Sequence, residues 1–316
     1  MKVSIIGAGR KRSGIGEYIA RYFHKNGADV VSVLGTTEQT SRNAASALAK
    51  YGIRARAYTD FDQMVGNEQP DSMVIASPSR THFEYLMRCI DSGLNIFCEK
   101  PFIWSDERDM ARMVETIFEK AGQKSLTVAM NSQWPFSIRY YEELCGKISV
   151  RKRNKFFISL SPFCSGKEMI LESVPHALSL LYFVFGSGGI SQLDFESAKE
   201  NQILLRFEYL FDKGGCDVLI RLMRQEAQPR DFSFGFNDRI VSRRIDLPNY
   251  DIYFNYEDRR TKIADPLESS VRDFVEAVRQ KTPPLIGYAH ISNNMSLLKR
   301  IYDGFSEVEE RIKWKS

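Results

Sequence analysis

The sequence predicts an α/β fold in two parts, a doubly wound parallel sheet followed by a meandering sheet. Short apolar strands alternate with amphipathic helices through about the first 130 residues, and this alternation is typical of parallel strands joined by helical crossovers. Beyond residue 155 the apolar segments are joined by tight turns, as at 212–215 (DKGG). The 316 residues suit two domains of roughly 150 residues each. We place these domains at 1–130 and 131–316, and the C-terminal helices could pack back on the first domain.

Composition excludes several classes of protein. The formal net charge of +4 is small for this length, so it gives no case for binding to nucleic acid or to a membrane. The five cysteines are scattered and never in C-x-x-C spacing, so we expect neither a zinc site nor a disulfide framework, and a reducing compartment. No signal-peptide pattern and no apolar run of roughly 18 residues is evident, so we expect a cytoplasmic protein with no metal site.

The first element is an apolar strand that breaks into glycines and leads into a helix, MKVSIIGAGRKRSGIGEYIA. This order makes a dinucleotide pyrophosphate site possible, because glycines let the backbone approach phosphates and the first helical N–H groups meet their charge. Gly7, Gly9, Gly14 and Ile15 are the candidate residues. Four residues rather than two separate Gly9 from Gly14, and Arg10 in this longer loop adds a positive charge that could meet a phosphate. The alternative is a glycine-rich turn that binds nothing.

The second strand, DVVSVL, ends at Gly35. In a dinucleotide fold, an acid at this point holds the ribose 2′-hydroxyl of NAD, whereas a small residue near an Arg admits the 2′-phosphate of NADP. No acid stands at Gly35 or Thr36, and Thr37 and Arg42 could donate to a phosphate. Glu38 is the one residue that argues for NAD, because its carboxylate could reach the ribose. The sequence therefore indicates NAD(P) and favours NADP.

Three further strands end in polar residues. The strand 71–76 is followed by Ser77, Pro78 and His82, and the strand 95–98 is followed by Glu99 and Lys100. Ligands of such folds bind at loops after the carboxyl ends of parallel strands, so we assign these five residues to the cofactor site, with His82 stabilising its loop.

The last strand of the parallel sheet, 126–130, precedes Asn131 and Trp134. These two side chains are candidates to line a substrate pocket. For Trp134 the alternative, an ordinary place in the core between the domains, is equally open.

Four segments together resemble one family: IIGAG at 5–9, YTDF at 58–61, DSMVIASPSRTH at 71–82 and, most specifically, SGLNIFCEKPF at 92–102. They are similar to the glucose–fructose oxidoreductase and inositol dehydrogenase (Gfo/Idh/MocA) family. The resemblance implies an N-terminal Rossmann domain and a C-terminal α/β domain with a large, mostly antiparallel sheet. It also implies that a nicotinamide cofactor oxidises or reduces a sugar-like small molecule, and that the outer face of the large sheet joins copies of the chain into a dimer or tetramer.

The resemblance also implies roles for individual residues. Lys100 would hold the reacting oxygen, the peptide bond before Pro101 would be cis, and His176 would exchange the proton. The family's Asp-x-Gly-x-His motif, with a second Asp three residues on, appears here with Glu172 before His176 and Ser179 after it. The histidine is kept, one acid is lengthened and the other is lost.

The role of Glu172 depends on local structure. Residues four apart share one face of a helix, so in a helix Glu172 could orient the imidazole of His176. Pro175 favours a helix that starts near Val174, with Glu172 in the preceding loop, because helices tolerate proline in their first turn. On periodicity alone, His176 would be a core or capping residue.

The second half has its own pattern. We expect strands at 156–160, 202–209, 216–223, 231–236 and 239–245, and helices at 266–278 and 293–305. Seven arginines accompany these strands: Arg206, Arg221, Arg224, Arg230, Arg239, Arg243 and Arg244. They could meet an anionic substrate, but we prefer solvated strand faces on which they pair with Asp and Glu.

Taken together, the residues and the resemblance indicate an NAD(P)-dependent dehydrogenase or reductase that acts on the CH–OH group of a sugar, a cyclic polyol or a related carbonyl compound. Lys100 and His176, assisted by Glu172, would be catalytic, and Lys100, Asn131, Trp134 and His176 would contact the substrate. Two alternatives stay open: an imine reductase in a biosynthetic pathway, and a non-catalytic regulator that binds the dinucleotide.

Overall fold

The computed structural model describes residues 1–9 and 15–313. The chain forms two compact units. The first contains Met1–Ser132 and Leu267–Ser292, and the second contains Gln133–Pro266 and Asn293–Ser316.

The first unit is built on a six-stranded sheet in the order β3-β2-β1-β4-β5-β6, all of whose strand pairs are parallel. This is the strand order of doubly wound dinucleotide folds, and it confirms the predicted parallel sheet. The strands are β1 (Lys2–Ile6), β2 (Asp29–Leu34), β3 (Arg56–Tyr58), β4 (Ser72–Ile75), β5 (Asn95–Glu99) and β6 (Val128–Asn131). The helices are α1 (Gly16–Lys25), α2 (Glu38–Ala49), α3 (Phe61–Glu68), α4 (His82–Asp91), α5 (Met110–Gln123), α8 (Pro266–Gln280) and the start of α9 (Tyr288–Lys313).

Aromatic side chains fill the core of this unit. Phe23 of α1 meets Phe97 of β5 edge-on, with ring centroids 5.6 Å apart, and Phe274 of α8 lies 5.9 Å and 5.4 Å from these two rings. All three rings are almost fully buried. Each is expected to bring about 1.5–3 kcal/mol of burial free energy, so α8 is an integral part of this core although it follows β6 by more than a hundred residues.

His290 is buried in the first unit, with 3% of its surface exposed. Burial lowers the pKa of its imidazole from 6.5 to about 3. Since the unfolded chain binds a proton here below about pH 6.5 and the folded chain does not, the stabilisation is complete above that pH and is lost as the pH falls towards 3. Each pH unit in this window costs about 1.4 kcal/mol.

Urea unfolding at pH 6.5 and at pH 4.5 tests this. We expect the wild type to lose about 2 kcal/mol more than His290→Gln between the two pH values. His24→Gln is the control, because His24 is exposed on α1 and should leave the pH dependence of the wild type in place. Equal pH dependence of the wild type and His290→Gln would show that the imidazole is not buried in its neutral form.

The second unit is built on an eight-stranded sheet in the order β14-β13-β12-β11-β7-β10-β9-β8. Only β7 and β10 pair in parallel; the other pairs are antiparallel, as expected. The strands are β7 (Arg153–Leu160), β8 (Gly188–Lys199), β9 (Gln202–Phe211), β10 (Gly214–Met223), β11 (Phe232–Phe236), β12 (Arg239–Asp246), β13 (Asp251–Tyr256) and β14 (Arg259–Ile263). The helices are α6 (Ile138–Cys145), α7 (Glu168–Phe185) and the remainder of α9.

Three of these strands were not expected from the sequence: β8, β13 and β14. Each lies at or near an edge of the sheet and carries polar or charged residues such as Gln192 and Arg260. Their alternating pattern is therefore weak, and neighbouring strands rather than local propensity determine their structure.

Helix α7 corrects two sequence expectations. It begins at Glu168 and not near Val174, and it runs through Pro175 without a break, so Glu172 lies within the helix and not in a loop before it. Long-range packing holds this stretch, because the Nδ2 group of Asn294 donates to the carbonyl oxygen of Pro175 at 3.0 Å. Among the described residues, α7 alone also passes a test of length and composition for a membrane span, with mean hydropathy 1.3. Two thirds of it (67%) is buried inside the protein, as in a core helix.

Candidate active site

Several of the sequence-predicted cofactor residues, among them Gly7, Ser77 and Lys100, follow the carboxyl ends of strands in the parallel sheet. The strands β1, β2, β4, β5 and β6 all run in the same direction, so the segments after their carboxyl ends lie together. In this fold class that edge is where ligands bind.

Glycines allow neighbouring backbone segments to pack closely at the end of β1. Gly7 has φ +84°, and a Cβ atom there would lie 2.7 Å from the carbonyl oxygen of Ala76. Gly16, the first residue of α1, would place a Cβ 2.9 Å from the Cα of Ala8. Sequence reasoning missed Gly16, whose lack of a side chain permits close packing of helix against strand. Arg10 and Gly14 lie outside the described residues.

Ile15 immediately precedes α1, and Gly9 packs against α2, where its Cβ would be 3.1 Å from the carbonyl oxygen of Thr40. Residues 10–14, which connect Gly9 to Ile15, lie outside the described residues, and the N–H groups of the first turn of α1 begin at Gly16. This is the arrangement that accommodates a phosphate.

The turn after β2 leads into a capped helix. Thr36 is exposed, and the hydroxyl of Thr37 accepts a hydrogen bond from the backbone N–H of Thr40 at 3.2 Å. Arg42 pairs with Glu38 one helical turn earlier at 2.8 Å, and both side chains are more than 70% exposed. Such exposed pairs are worth only about 0.3–0.5 kcal/mol, so Arg42 is available to another anion.

The loop after β4 is fastened by hydrogen bonds. The hydroxyl groups of Ser77 and Thr81 are 2.7 Å apart, and Pro78 precedes a 3₁₀ turn at Ser79–Thr81. The buried ring of His82 lies 2.9 Å from the carbonyl oxygen of Ser77 and 3.0 Å from that of Pro101. His82 therefore joins the loops after β4 and β5, which confirms its expected stabilising role.

Lys100 directly follows β5 and is half-buried. The Lys100–Pro101 peptide bond is cis, as the resemblance implies. Beside it, Glu99 and Asn131 are paired across β5 and β6, and the Nδ2 group of Asn131 donates to the Glu99 carboxylate.

Two buried polar atoms near the ends of β5 and β6 lack a hydrogen-bond partner among the described residues. The Oδ1 atom of Asn131 and the Oγ atom of Ser132 have no hydrogen-bond partner within the described part of the chain. Buried polar groups without partners are costly, so these two atoms are exceptions to the usual pairing of buried polar groups.

In the second unit, Glu172 and His176 are both half-buried and lie four residues apart on the continuous helix α7, so they share one face. Ser179 is fully buried, and its hydroxyl accepts a hydrogen bond from the Nδ2 group of Asn294 at 2.8 Å. The residue that replaces the family's second acid is thus part of the packing between α7 and α9.

Trp134 is 3% exposed and packs within the second unit. It stacks on Phe232 of β11, with ring centroids 3.6 Å apart and planes 12° from parallel. The centroids of the Trp134 and His176 rings are 6.5 Å apart, and the two ring planes are 79° from parallel. The indole therefore fixes the surroundings of His176.

Known proteins resemble this chain in both sequence and fold. Residues 1–130 match the model of an oxidoreductase family with an NAD-binding Rossmann fold. Inositol 2-dehydrogenase of Klebsiella pneumoniae (strain 342) is 31% identical over 154 residues, which cover 48% of this chain and 40% of that protein. D-glucoside 3-dehydrogenase of Escherichia coli (strain K12) is 31% identical over 102 residues, 32% of this chain and 27% of that protein. The matched segments thus span less than half the length of these relatives.

A solved structure extends the likeness of fold to nearly the whole chain. UDP-N-acetylglucosamine 3-dehydrogenase from Acidithiobacillus ferrooxidans superposes with a TM-score of 0.70 over 96% of this chain and 97% of that one, at 17% sequence identity. Residues 1–130 of this chain are thus similar to the NAD-binding Rossmann domain of the Gfo/Idh/MocA oxidoreductase family, and the strand order and the cis bond after Lys100 agree with that similarity.

Proposed function

We propose that this protein is an NAD(P)-dependent oxidoreductase that interconverts a CH–OH group and a carbonyl group in a sugar, a cyclic polyol or a related compound. The observation that supports it most is the parallel sheet itself, in which the glycines after β1, at Gly7 and Gly16, and Lys100 after β5 all follow the carboxyl ends of strands. The named relatives act on inositol and on a glucoside, which supports this substrate class.

The cofactor supplies the hydride chemistry when bound. Gly7, Gly9 and the start of α1 would hold its phosphates, with Arg10, Gly14 and Ile15 completing the loop. The remaining contacts proposed from this unit are Thr36, Thr37, Arg42, Ser77, Pro78, His82, Glu99 and Lys100.

Moving a hydride at a carbinol carbon requires a proton to leave or join its oxygen. We assign the ammonium group of Lys100 to hold and polarise that oxygen, and the imidazole of His176 to exchange its proton. Glu172 orients the imidazole from one turn earlier on α7, and Asn131 and Trp134 line the substrate site.

Cofactor choice can be measured directly. In titrations of the purified protein followed by nicotinamide fluorescence, we expect NADPH to bind more tightly than NADH. Arg42→Ala should weaken NADPH by about 10-fold or more, because it removes a charge-assisted hydrogen bond to the 2′-phosphate, and should leave NADH unchanged. Arg112→Ala, an exposed arginine on α5, is the matched control.

Two results would oppose this assignment. Tighter binding of NADH than of NADPH would show that Glu38 reaches the ribose. Binding of neither nucleotide would mean that the lengthened glycine loop does not hold a dinucleotide, and the proposed function would fail with it.

We also propose a cytoplasmic homo-oligomer, a dimer or tetramer, joined through the open face of the eight-stranded sheet. That face carries a broad depression of about 760 Å³ lined by Phe157, Leu219 and Ile240 among charged residues. Ile240 is 43% exposed, Phe157 and Leu219 are half-buried, and apolar patches on a surface indicate an interaction with another chain.

A further inference from the structure

The structure divides the seven arginines of the second unit into two groups. Five have partners of the ordinary surface kind: Arg206 with Glu196, Arg224 with Glu226, Arg244 with Asp246, Arg221 with the hydroxyl of Ser159, and Arg239 with the carbonyl of Cys145. The preferred interpretation, arginines paired with Asp and Glu on solvated strand faces, is confirmed for Arg206, Arg224 and Arg244. Arg230 and Arg243 do not follow it.

Arg243 points to the buried face of the sheet. It alternates along β12 with Val241 and Ile245, which are 0% and 9% exposed, and so shares their face. Across the ladder it pairs with Phe254, which is also fully buried. An arginine at a core-facing strand position contradicts the pattern of its own strand, and such departures are typical of functional positions.

The surroundings of Arg243 are aromatic. Its guanidinium carbon lies 5.6 Å from the ring of Trp134 and 5.6 Å from that of Phe232. Because these two rings are stacked, equal distances place the cation beside the stack. The Nη2 group of Arg243 donates a hydrogen bond to the carbonyl oxygen of Arg230 at 2.5 Å.

Arg230 lies next to it. Its guanidinium carbon is 5.7 Å from the ring of Phe163, and its buried Nε atom has no hydrogen-bond acceptor within the described part of the chain. Tyr250, Asp265 and Asp231 favour the charged form of Arg243 electrostatically.

Two neighbouring cations on a partly desolvated face repel each other and lose hydration. Burial accordingly lowers the pKa of Arg243, and the charge of Arg230 acts in the same direction. Holding two like charges on a partly desolvated face is costly, so this pair is expected to gain from an anion that binds between the two guanidinium groups.

We propose that Arg230 and Arg243 form a binding site for an anionic group, a phosphate or carboxylate, on the substrate. The pair belongs to the same aromatic cluster as His176, since the ring of Trp134 contacts both His176 and Arg243. A sugar whose reacting carbon meets His176 would thus extend its anionic substituent along Trp134 to the arginines. This inference rests on the proposed function and narrows the substrate class to acidic or phosphorylated sugars and polyols.

Guanidinium groups suit this task better than ammonium groups do. Their planar fork donates two parallel hydrogen bonds to the oxygen atoms of a phosphate or a carboxylate. Both kinds of anion satisfy this geometry, and the experiment below distinguishes between them.

The test is calorimetric titration of the protein, saturated with NADPH, with D-glucose 6-phosphate, D-gluconate and D-glucose at one ionic strength. We expect at least one of the two anions to bind the wild type about 10-fold more tightly than glucose does. Arg243→Gln and Arg230→Gln should each weaken that anion by about 10- to 100-fold, the range for a hydrogen bond to a charged group, and leave glucose unchanged. The phosphate compound and the sugar acid identify which anion is preferred.

Arg244→Gln is the matched control, because Arg244 is the next residue on β12 and has an ion pair with Asp246 on the exposed side. It should bind all three compounds as the wild type does. Equal effects of Arg243→Gln and Arg244→Gln, or no preference of the wild type for either anion, would overturn the proposal. If Arg243→Gln fails to fold, Arg230→Gln and Arg243→Lys decide, since Lys keeps the charge and loses the fork.

The same titrations keep this inference separate from the proposed function. Anion binding that depends on Arg243, in a protein that binds neither NADH nor NADPH, would support the anion site and refute the oxidoreductase. Normal NADPH binding with no preference for either anion would refute the anion site and support the oxidoreductase.

Discussion

Alanine at Lys100 or His176 is expected to lower kcat by at least about 100-fold, the scale for loss of a general acid or base. Lys100 would no longer hold the reacting oxygen, and His176 would no longer exchange its proton. The assay is the formation or loss of reduced nicotinamide absorbance with a panel of sugars, polyols and their acidic derivatives. NADPH binding should persist in His176→Ala, which belongs to the second unit.

Matched controls exist for both changes. Lys120→Ala and His24→Ala replace exposed residues on α5 and α1 and should retain the turnover of the wild type. Glu172→Gln should have an intermediate effect, with kcat reduced and KM retained, because Glu172 positions the imidazole and does not take the proton itself.

Other outcomes separate the alternatives. Wild-type turnover in both alanine variants would show that the site assignment is wrong. Loss of activity in Lys100→Ala alone would favour a reaction with a different proton source, as an imine reductase requires. NADPH binding by a wild type that turns over no member of the panel would indicate a regulator.

Local patterns in the sequence predict the parallel sheet well. β4 and β5 are short apolar runs that end in polar residues, and each forms its strand within a residue or two of the expected position. Strands buried on both faces are apolar throughout, so the sequence signal is strong there. The same signal locates the site, because a strand's last apolar residue also marks the edge at which ligands bind.

The sequence cannot show which face of a strand is buried when charged residues occupy both. Arg243 and Arg244 are adjacent and chemically identical, yet one faces the buried side and the other forms a surface ion pair. Only the pairing of β12 with β11 and β13 distinguishes them. This is why the seven arginines could not be sorted before the sheet was known.

Contacts between residues distant in the chain explain the remaining differences. Pro175 breaks a local helix rule, but α7 is held by packing and by Asn294, which lies 119 residues away. Ser179 depends on the same asparagine. No local pattern predicts a partner at such separation, so the expected loop at Glu172 followed from a sound rule that tertiary structure overrides.

The largest stability effect is expected from Phe274→Ala, at about 3–5 kcal/mol, because it opens a cavity among the buried rings of Phe23 and Phe97. Urea unfolding followed by circular dichroism measures it. Leu285→Ala is the control, since Leu285 belongs to the same unit and is 41% exposed. Its effect should be within about 0.5 kcal/mol of zero.

A double-mutant cycle then tests the core itself. Phe97→Ala alone should cost a similar amount, and the two changes together should cost less than their sum by about 0.5–3 kcal/mol, because both rings line one cavity. Strict additivity would mean that Phe274 does not pack against β5. Since β5 carries Lys100 at its end, non-additive coupling would show that the stability of the strand bearing the proposed catalytic lysine depends on a helix that begins at Pro266.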